Sequence, residues 1–351
     1  MYRGLDIFWP GRIGRLDLEA AVRACICVLV PLLVLWSLDE LQLAAYASFA
    51  AFTGLYGRTE RYRQRAVSVA VAAVALLVTI LAGMGTALVA NHDVLFVIVL
   101  VLICGLGVVL SAVMHWIPSG SVFLVFAYSV CSAIPTSGAD LVPRMSLAVA
   151  VAGFAWLVAM SGWLVRRTVG KATVALQPLR EVSKRDGSAC KDPVVLRVAL
   201  ETGLGAGLAL LLSGWLGLGH AYWAAVAVAA TVPRPHAPRV FTRAIHRVAG
   251  TGIGVLVTAL FLSLDPTPLS IVLVAALCQF LAELIVGQVY WIALIFVTPL
   301  ALSVSSLSVP AATSSLVADR LLDTLLGGVV AGLLIWLGSV RTALSRDIRD
   351  R

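Results

Sequence analysis

No charged side chain interrupts the chain between Val94 and Val113, and runs of similar character recur along its whole length. About twenty apolar residues are what an α-helix needs to cross a ~30 Å hydrocarbon core. With 60% hydrophobic and only 13% charged residues among 351, the chain lacks the polar surface to cover a water-soluble globule. Lipid is therefore its solvent, and in lipid the backbone must satisfy its own hydrogen bonds. The ~10-residue alternating strands of a membrane barrel are absent, which leaves helices. The expected fold class is an all-α polytopic membrane protein.

Charges and Gly/Pro/Asn clusters divide the apolar sequence into segments near 20–37, 41–56, 66–90, 94–113, 116–135 and 145–165. A second series follows at 194–213, 220–232, 248–264, 269–287, 289–309 and 320–340. The predicted organisation is a cytoplasmic N-terminal segment (1–19), a first six-helix repeat (20–165), a cytoplasmic linker (166–193), a second six-helix repeat (194–340) and a cytoplasmic tail (341–351). The first apolar run begins after Arg3, Arg12 and Arg15 with no small-residue cleavage site behind it, so it reads as a span.

Orientation follows from the cations. With the N-terminus inside, 24 of the 26 Lys and Arg residues fall in inner segments, and Arg144 and Arg320 alone fall outside. Those two arginines also mark the repeat, because each opens the last span of its half at a separation of 176 positions. Arg23 and Arg197 are 174 apart, Trp116 and Trp291 are 175 apart, and Arg61/Arg65 precede Arg243/Arg247 by 182. An even number of spans per half makes the halves parallel repeats about an axis along the membrane normal, an internal pseudo-dimer. The sequence leaves any further oligomerisation open.

The net charge of +8 sits in short segments between spans without interleaved aromatic residues, so it reads as topology and contact with lipid head groups, with no nucleic-acid partner. The six cysteines form no CxxC pair and lie mostly in apolar runs, so neither disulfides nor a zinc site is expected. No P-loop, metal-binding cluster or nucleophile elbow is present, and the chain is expected to be neither an enzyme nor a holder of metals or cofactors. The 23 arginines against 3 lysines, with abundant Ala, Val and Gly, fit a GC-rich bacterial genome and hence a bacterial inner membrane.

The second span of each half is short. HAYWAAVAVAAT, between Gly219 and Val232, covers only ~18 Å at 1.5 Å per residue. Short segments at matching positions of two halves point to a transport site, a tilted helix being the plainer reading. Four runs carry a resemblance: HAYWAAVAVAATV, FTRAIHRVAGTGIG, YWIALIFVTPLALS and DRLLDTLLGGVVAG. In this order the chain resembles the fusaric-acid-resistance family of integral membrane bound transporters, which includes aromatic acid exporters. More distantly it resembles the plant aluminium-activated malate channels. The match is strongest over about 195–340, and LQLAAYASFAAFTGLYGR in the first half looks like the same unit diverged. The resemblance implies efflux of organic, often aromatic, anions, with a passive anion channel or a non-transporting scaffold as alternatives.

Candidate residues follow. Arg144 and Arg320 are placed to draw an organic anion toward the outer opening, or else pin helix ends through Asp140, Asp319 or Asp323. His220, Tyr222 and Trp223 open the short span, where they either meet substrate or form an interfacial aromatic belt. Glu283, a carboxylate inside an apolar run, is the proton-coupling candidate or a lumen-facing polar residue. Arg61, Arg65, Arg243 and Arg247 form an inner basic vestibule or a positive-inside anchor; Arg239 falls on the same helical face as the latter pair. Arg197 and Glu201, one turn apart, are expected as a structural ion pair, and Asp323 restrains Arg320 three residues before it. Gly203/Gly207, Gly250/Gly254 and Gly328/Gly332 are close-packing positions. Single cysteines at residues 186 and 265 of a cysteine-free chain test the orientation: an impermeant thiol reagent applied outside cells should label 265 and spare 186, and the reverse pattern overturns it.

Overall fold

The structure is a computed structural model that describes residues 13–91, 93–169, 179, 185, 187–238, 241–308 and 313–349, with the side chains of 164–169, 313–316 and 340–349 excepted. The expected N-terminal segment up to residue 12, most of the linker and Arg239 lie outside the described residues. Twelve α-helices occur among them: α1 (Arg15–Ser37), α2 (Ala44–Ala51), α3 (Tyr62–Ala87), α4 (Asp93–Met114), α5 (Val122–Ala133), α6 (Leu141–Val169), α7 (Pro193–Trp215), α8 (Tyr222–Thr231), α9 (Thr242–Leu262), α10 (Pro268–Ile285), α11 (Tyr290–Ser308) and α12 (Thr313–Arg349). Nine helices in the described residues are long and apolar enough to cross a bilayer, and the protein is an all-α, multi-pass membrane protein.

Local chemistry sets the boundaries. Asp192 and Thr267 cap α7 and α10 by accepting from the backbone N–H groups of Val194 and Ser270, each followed by a proline whose fixed φ suits the first helical position. Asp39, Asn91, His115 and Asp265 adopt positive φ just beyond α1, α3, α4 and α9, a conformation that Asn and Asp tolerate better than most residues. The three short apolar elements are Leu41–Leu55, α5 and α8. The shortness of the second span was expected in both halves. That of α5 was not, because Trp116, Ile117 and Pro118 were counted into its span although helix begins only at Val122.

Burial explains how α2 and α8 stay short. Every residue of α2 is buried, as is α8 from Trp223 to Thr231, so lipid never meets their backbone ends. The long helices form the surround and turn apolar stripes outward: Val94, Ile98, Leu102 and Leu106 on α4, and Leu196, Leu200, Leu204 and Leu208 on α7. An apolar exterior of this extent needs lipid against it.

Packing partners recur at an interval of six helices. α3 packs on α5 as α9 packs on α11, α4 on α7 as α10 on α1, and α6 on α2 and α3 as α12 on α8 and α9. Small residues set the closest approaches. On α9, a Cβ at Gly250 would run into the carbonyl oxygen of Trp291, and one at Gly254 would lie 2.7 Å from Thr298 Cβ. On α7, a Cβ at Gly203 would lie 2.9 Å from the Val101 carbonyl oxygen. Backbone cannot step aside for a side chain, so Gly250→Leu should separate α9 from α11 at a cost of at least ~1–3 kcal/mol and sharply lower the yield of monodisperse protein in detergent. Unchanged thermal stability of that variant would refute the packing.

Candidate functional site

α9 and α12 run antiparallel. Gly252 faces Leu321, Gly328 faces Val248 and Gly332 faces the ring of Phe241. Gly252 is midway along α9, so Arg320, next to Leu321, lies at the level of the middle of a spanning helix. It is 1% exposed. This corrects its assignment to the outer face: seven residues of α12 precede it, and its side chain turns into the protein.

The Arg320 guanidinium sits over the Trp223 ring, 3.8 Å from its centroid. A desolvated contact of this kind contributes ~2 kcal/mol, well short of replacing the water an arginine gives up. Its Nε and Nη1 are buried with no hydrogen-bond partner. Asp323 forms no ion pair with Arg320, contrary to expectation. Its carboxylate accepts a short hydrogen bond from Ser213 on α7, which draws it away from the arginine, while Asp323 Oδ2 has no partner. Trp223 is fully buried rather than interfacial, and its ring packs on Phe126 of α5 at 4.8 Å. His220 Nδ1 lies 2.7 Å from Asp319 Oδ2, and Tyr222 sits between His220 and Trp223. Three of the expected residues, Arg320, Trp223 and Tyr222, thus converge, with His220 adjoining them through Tyr222.

Arg144 differs from its counterpart. Its Nη1 donates to Tyr46 Oη, the Pro135 carbonyl and Thr136 Oγ1 at 2.9–3.0 Å, and Nη2 lies 3.4 Å from Asp140. Arg144 is a strut between the start of α6 and the loop before it, with little left to offer a substrate.

The four arginines expected as one vestibule separate. Arg65 is fully buried against Glu19 at 3.6 Å and the Tyr62 ring, whereas Arg61 lines a separate open pocket with Tyr62, Arg63, Gln64 and Arg185. Arg243 and Arg247 instead meet at Tyr290: Arg243 stacks over the ring at 4.6 Å, and Arg247 Nη1 donates to the hydroxyl at 3.3 Å. Arg247 Nε is buried without a partner, and Arg320 lies within electrostatic reach of Arg247 and Tyr290. Arg197 Nε lies 2.9 Å from Glu201 Oε1.

Arg243 also lines a cavity of about 510 Å³ at the arginine-rich end of the bundle. Val108 and Ser111 of α4, His115 just beyond it, Asp192, Thr202 of α7, Arg234 and His236 help to enclose it. His236 Nε2 lies 2.9 Å from Asp192 Oδ2, and this bond, with the Val194 N–H, holds the Asp192 carboxyl below its usual range. From the cavity, Arg243, Tyr290, Arg247 and Arg320 succeed one another toward the middle of the bundle. Tyr290 carries no charge and was missed in the sequence; its place at the head of YWIALIFVTPLALS was the available signal.

Glu283 makes a separate cluster. Arg58 Nη1 donates to its carboxylate at 2.9 Å and to its backbone carbonyl at 2.8 Å, while Arg58 Nη2 reaches Asp17 Oδ1 at 2.7 Å. No group of three or more His, Cys, Asp or Glu suited to a metal occurs among the described residues.

No curated protein and no solved structure matches the chain. A family model does match, over a stretch holding all four runs that carried the resemblance together with Arg320, Trp223, Tyr290 and both tyrosine-bound arginines. Residues 208–334 match the model described as fusaric acid resistance protein-like.

Proposed function

We propose that this protein is a bacterial inner-membrane exporter of organic acids, aromatic ones among them, and that the anion crosses the second half of the chain past Arg243, Arg247 and Arg320. The observation that carries the reading is Arg320, an arginine buried at mid-span with two N–H-bearing nitrogens unpartnered. Burying a cation in a membrane is costly, and unsatisfied buried donors add ~1–3 kcal/mol each. A carboxylate arriving at Arg320 would pair with its charge and take up one of these donors in a fork shared with Nη2, and its aromatic body would find the rings of Trp223 and Tyr222 alongside. The family description, fusaric acid resistance, accords with this substrate class.

In this reading the twelve helices are twelve spans in two parallel repeats, 20–165 and 194–340, joined by the linker at 166–193. The six-helix interval in packing partners supports it. The arginine-rich end is cytoplasmic, and the cavity beside Arg243 is the inner vestibule. Proton coupling, the finer part of the proposal, assigns to Glu283 the exchange of Arg58 for a proton during the cycle. Glu283→Gln should then keep substrate binding and abolish dependence on a pH gradient, and dependence that survives in this variant removes Glu283 from the mechanism.

Counterflow of a simple aromatic carboxylate such as benzoate in proteoliposomes tests the main claim. Arg320→Lys keeps the charge and loses the fork, and should weaken apparent affinity about tenfold; Arg320→Gln should weaken it by ~100-fold or more, while Arg144→Gln lowers protein yield and leaves the affinity of the remaining molecules unchanged. Conductance without saturable exchange would mark a passive channel, and the absence of both would mark a scaffold; either result sinks the exporter reading.

A further inference from the structure

We infer that two repeat-equivalent places at the arginine-rich end differ, so that each chain has one inner mouth, where α4 meets α7, while Arg58 bridges Asp17 and Glu283 to close the equivalent place where α10 meets α1. The inference rests on the repeat and on the organic-anion reading above for the identity of the solute, but its geometry stands by itself. The offsets of 174–176 relate Asp17 to Asp192, Val108 to Glu283, Arg58 to Arg234 and Arg23 to Arg197. Where α4 meets α7 the first three of these places hold Asp192, Val108 and Arg234, which line the 510 Å³ cavity. Where α10 meets α1 the same three places hold a connected bridge. Arg58 donates to Glu283 at 2.9 Å and to Asp17 at 2.7 Å, and Gln288 Nε2 reaches Asp17 Oδ2 at 3.4 Å.

The fourth pair turns in opposite directions. Arg23 is 6% exposed and donates to the Gly54 carbonyl, filling the interior just above the bridge. The Arg197 side chain is 40% exposed and pairs with Glu201 on its own helix, leaving the interior to Val198 and Thr202, which line the cavity. Where α10 brings Glu283 to α1, α4 brings Val108 to α7, too short and too apolar to hold an arginine across the gap. Arg234 is correspondingly exposed. One place is filled by charge compensation and the other is left hollow, with Asp192 fastened sideways to His236.

Thiol access tests this in lipid nanodiscs, where both membrane faces meet the reagent. The probe is a small sulfonate-bearing methanethiosulfonate, applied to chains with one cysteine each: Val108→Cys, Thr202→Cys, or the native Cys27, which lies at the repeat position of Thr202. Residues 108 and 202 should react roughly tenfold or more faster than Cys27, since thiol modification follows access. Removing the bridge side chains together, Arg58→Ala with Glu283→Ala, leaves neither charge of that pair alone and should bring Cys27 to within about tenfold of position 202. Equal reactivity of 27 and 202 in the intact bridge overturns the inference, as does protection at 108 and 202, and so does a Cys27 that stays protected once the bridge is gone. Arg320→Gln is expected to leave all three rates unchanged while impairing exchange, so a failure of the anion path and a failure of the single mouth give different results.

Discussion

Hydrocarbon offers the backbone nothing to bond to, and the architecture follows from that constraint. Each segment in contact with lipid must be helical throughout, which fixes α4 and α7 as long rods with leucine, isoleucine and valine outward. Segments that end early must be screened, and α2 and α8 end early because longer helices enclose them. Helices in lipid gain nothing from hiding apolar surface from one another, so close approach has to come from small side chains. Gly250 against the Trp291 carbonyl and Gly327 against the Ala224 carbonyl are where that approach is tightest.

Within this scaffold the ionisable groups fall into two kinds. Some satisfy one another: Arg144 with Tyr46, Pro135, Thr136 and Asp140, and Arg58 with Asp17 and Glu283. These hold chain segments together, and substituting one partner leaves the other stranded in a medium of low polarity. Others are buried and incompletely satisfied, with Arg320 and Arg247 foremost. A fold tolerates such groups only at a cost in stability, and a group that satisfied them would offset that cost.

Much of the scaffold was legible in the sequence. Apolar runs gave the nine long apolar helices of the described residues, and the brevity of HAYWAAVAVAAT gave α8, because hydropathy and helix rise depend on the local sequence alone. The 176-residue spacing of Arg144 and Arg320 brought out a correspondence that the packing partners echo. What spacing does not encode is the direction in which a side chain turns once neighbouring helices are in place. Arg23 and Arg197 look alike in sequence, yet one faces inward and the other outward. Asp323 is spaced to meet Arg320, but Ser213 lies 110 positions away and takes it. The partnership of Arg58 with Glu283 spans 225 positions and depends on how α10 meets α1, which no local pattern reveals.

The length of α12 has a mechanical consequence. Its 37 residues extend ~55 Å at 1.5 Å per residue, nearly twice the hydrocarbon thickness, so that a long section projects past the bilayer at the arginine-rich end. Arg320 and its tryptophan contact sit close to the other extremity, like the pivot of a lever with one long arm. About 29 residues separate the pivot from the tip, an arm of ~43 Å, so a tilt of ~5° at Trp223 would swing the tip by ~4 Å. Occupancy changes too small to resolve beside the tryptophan would thus be read out in water, at a place where a fluorophore or another protein can register them.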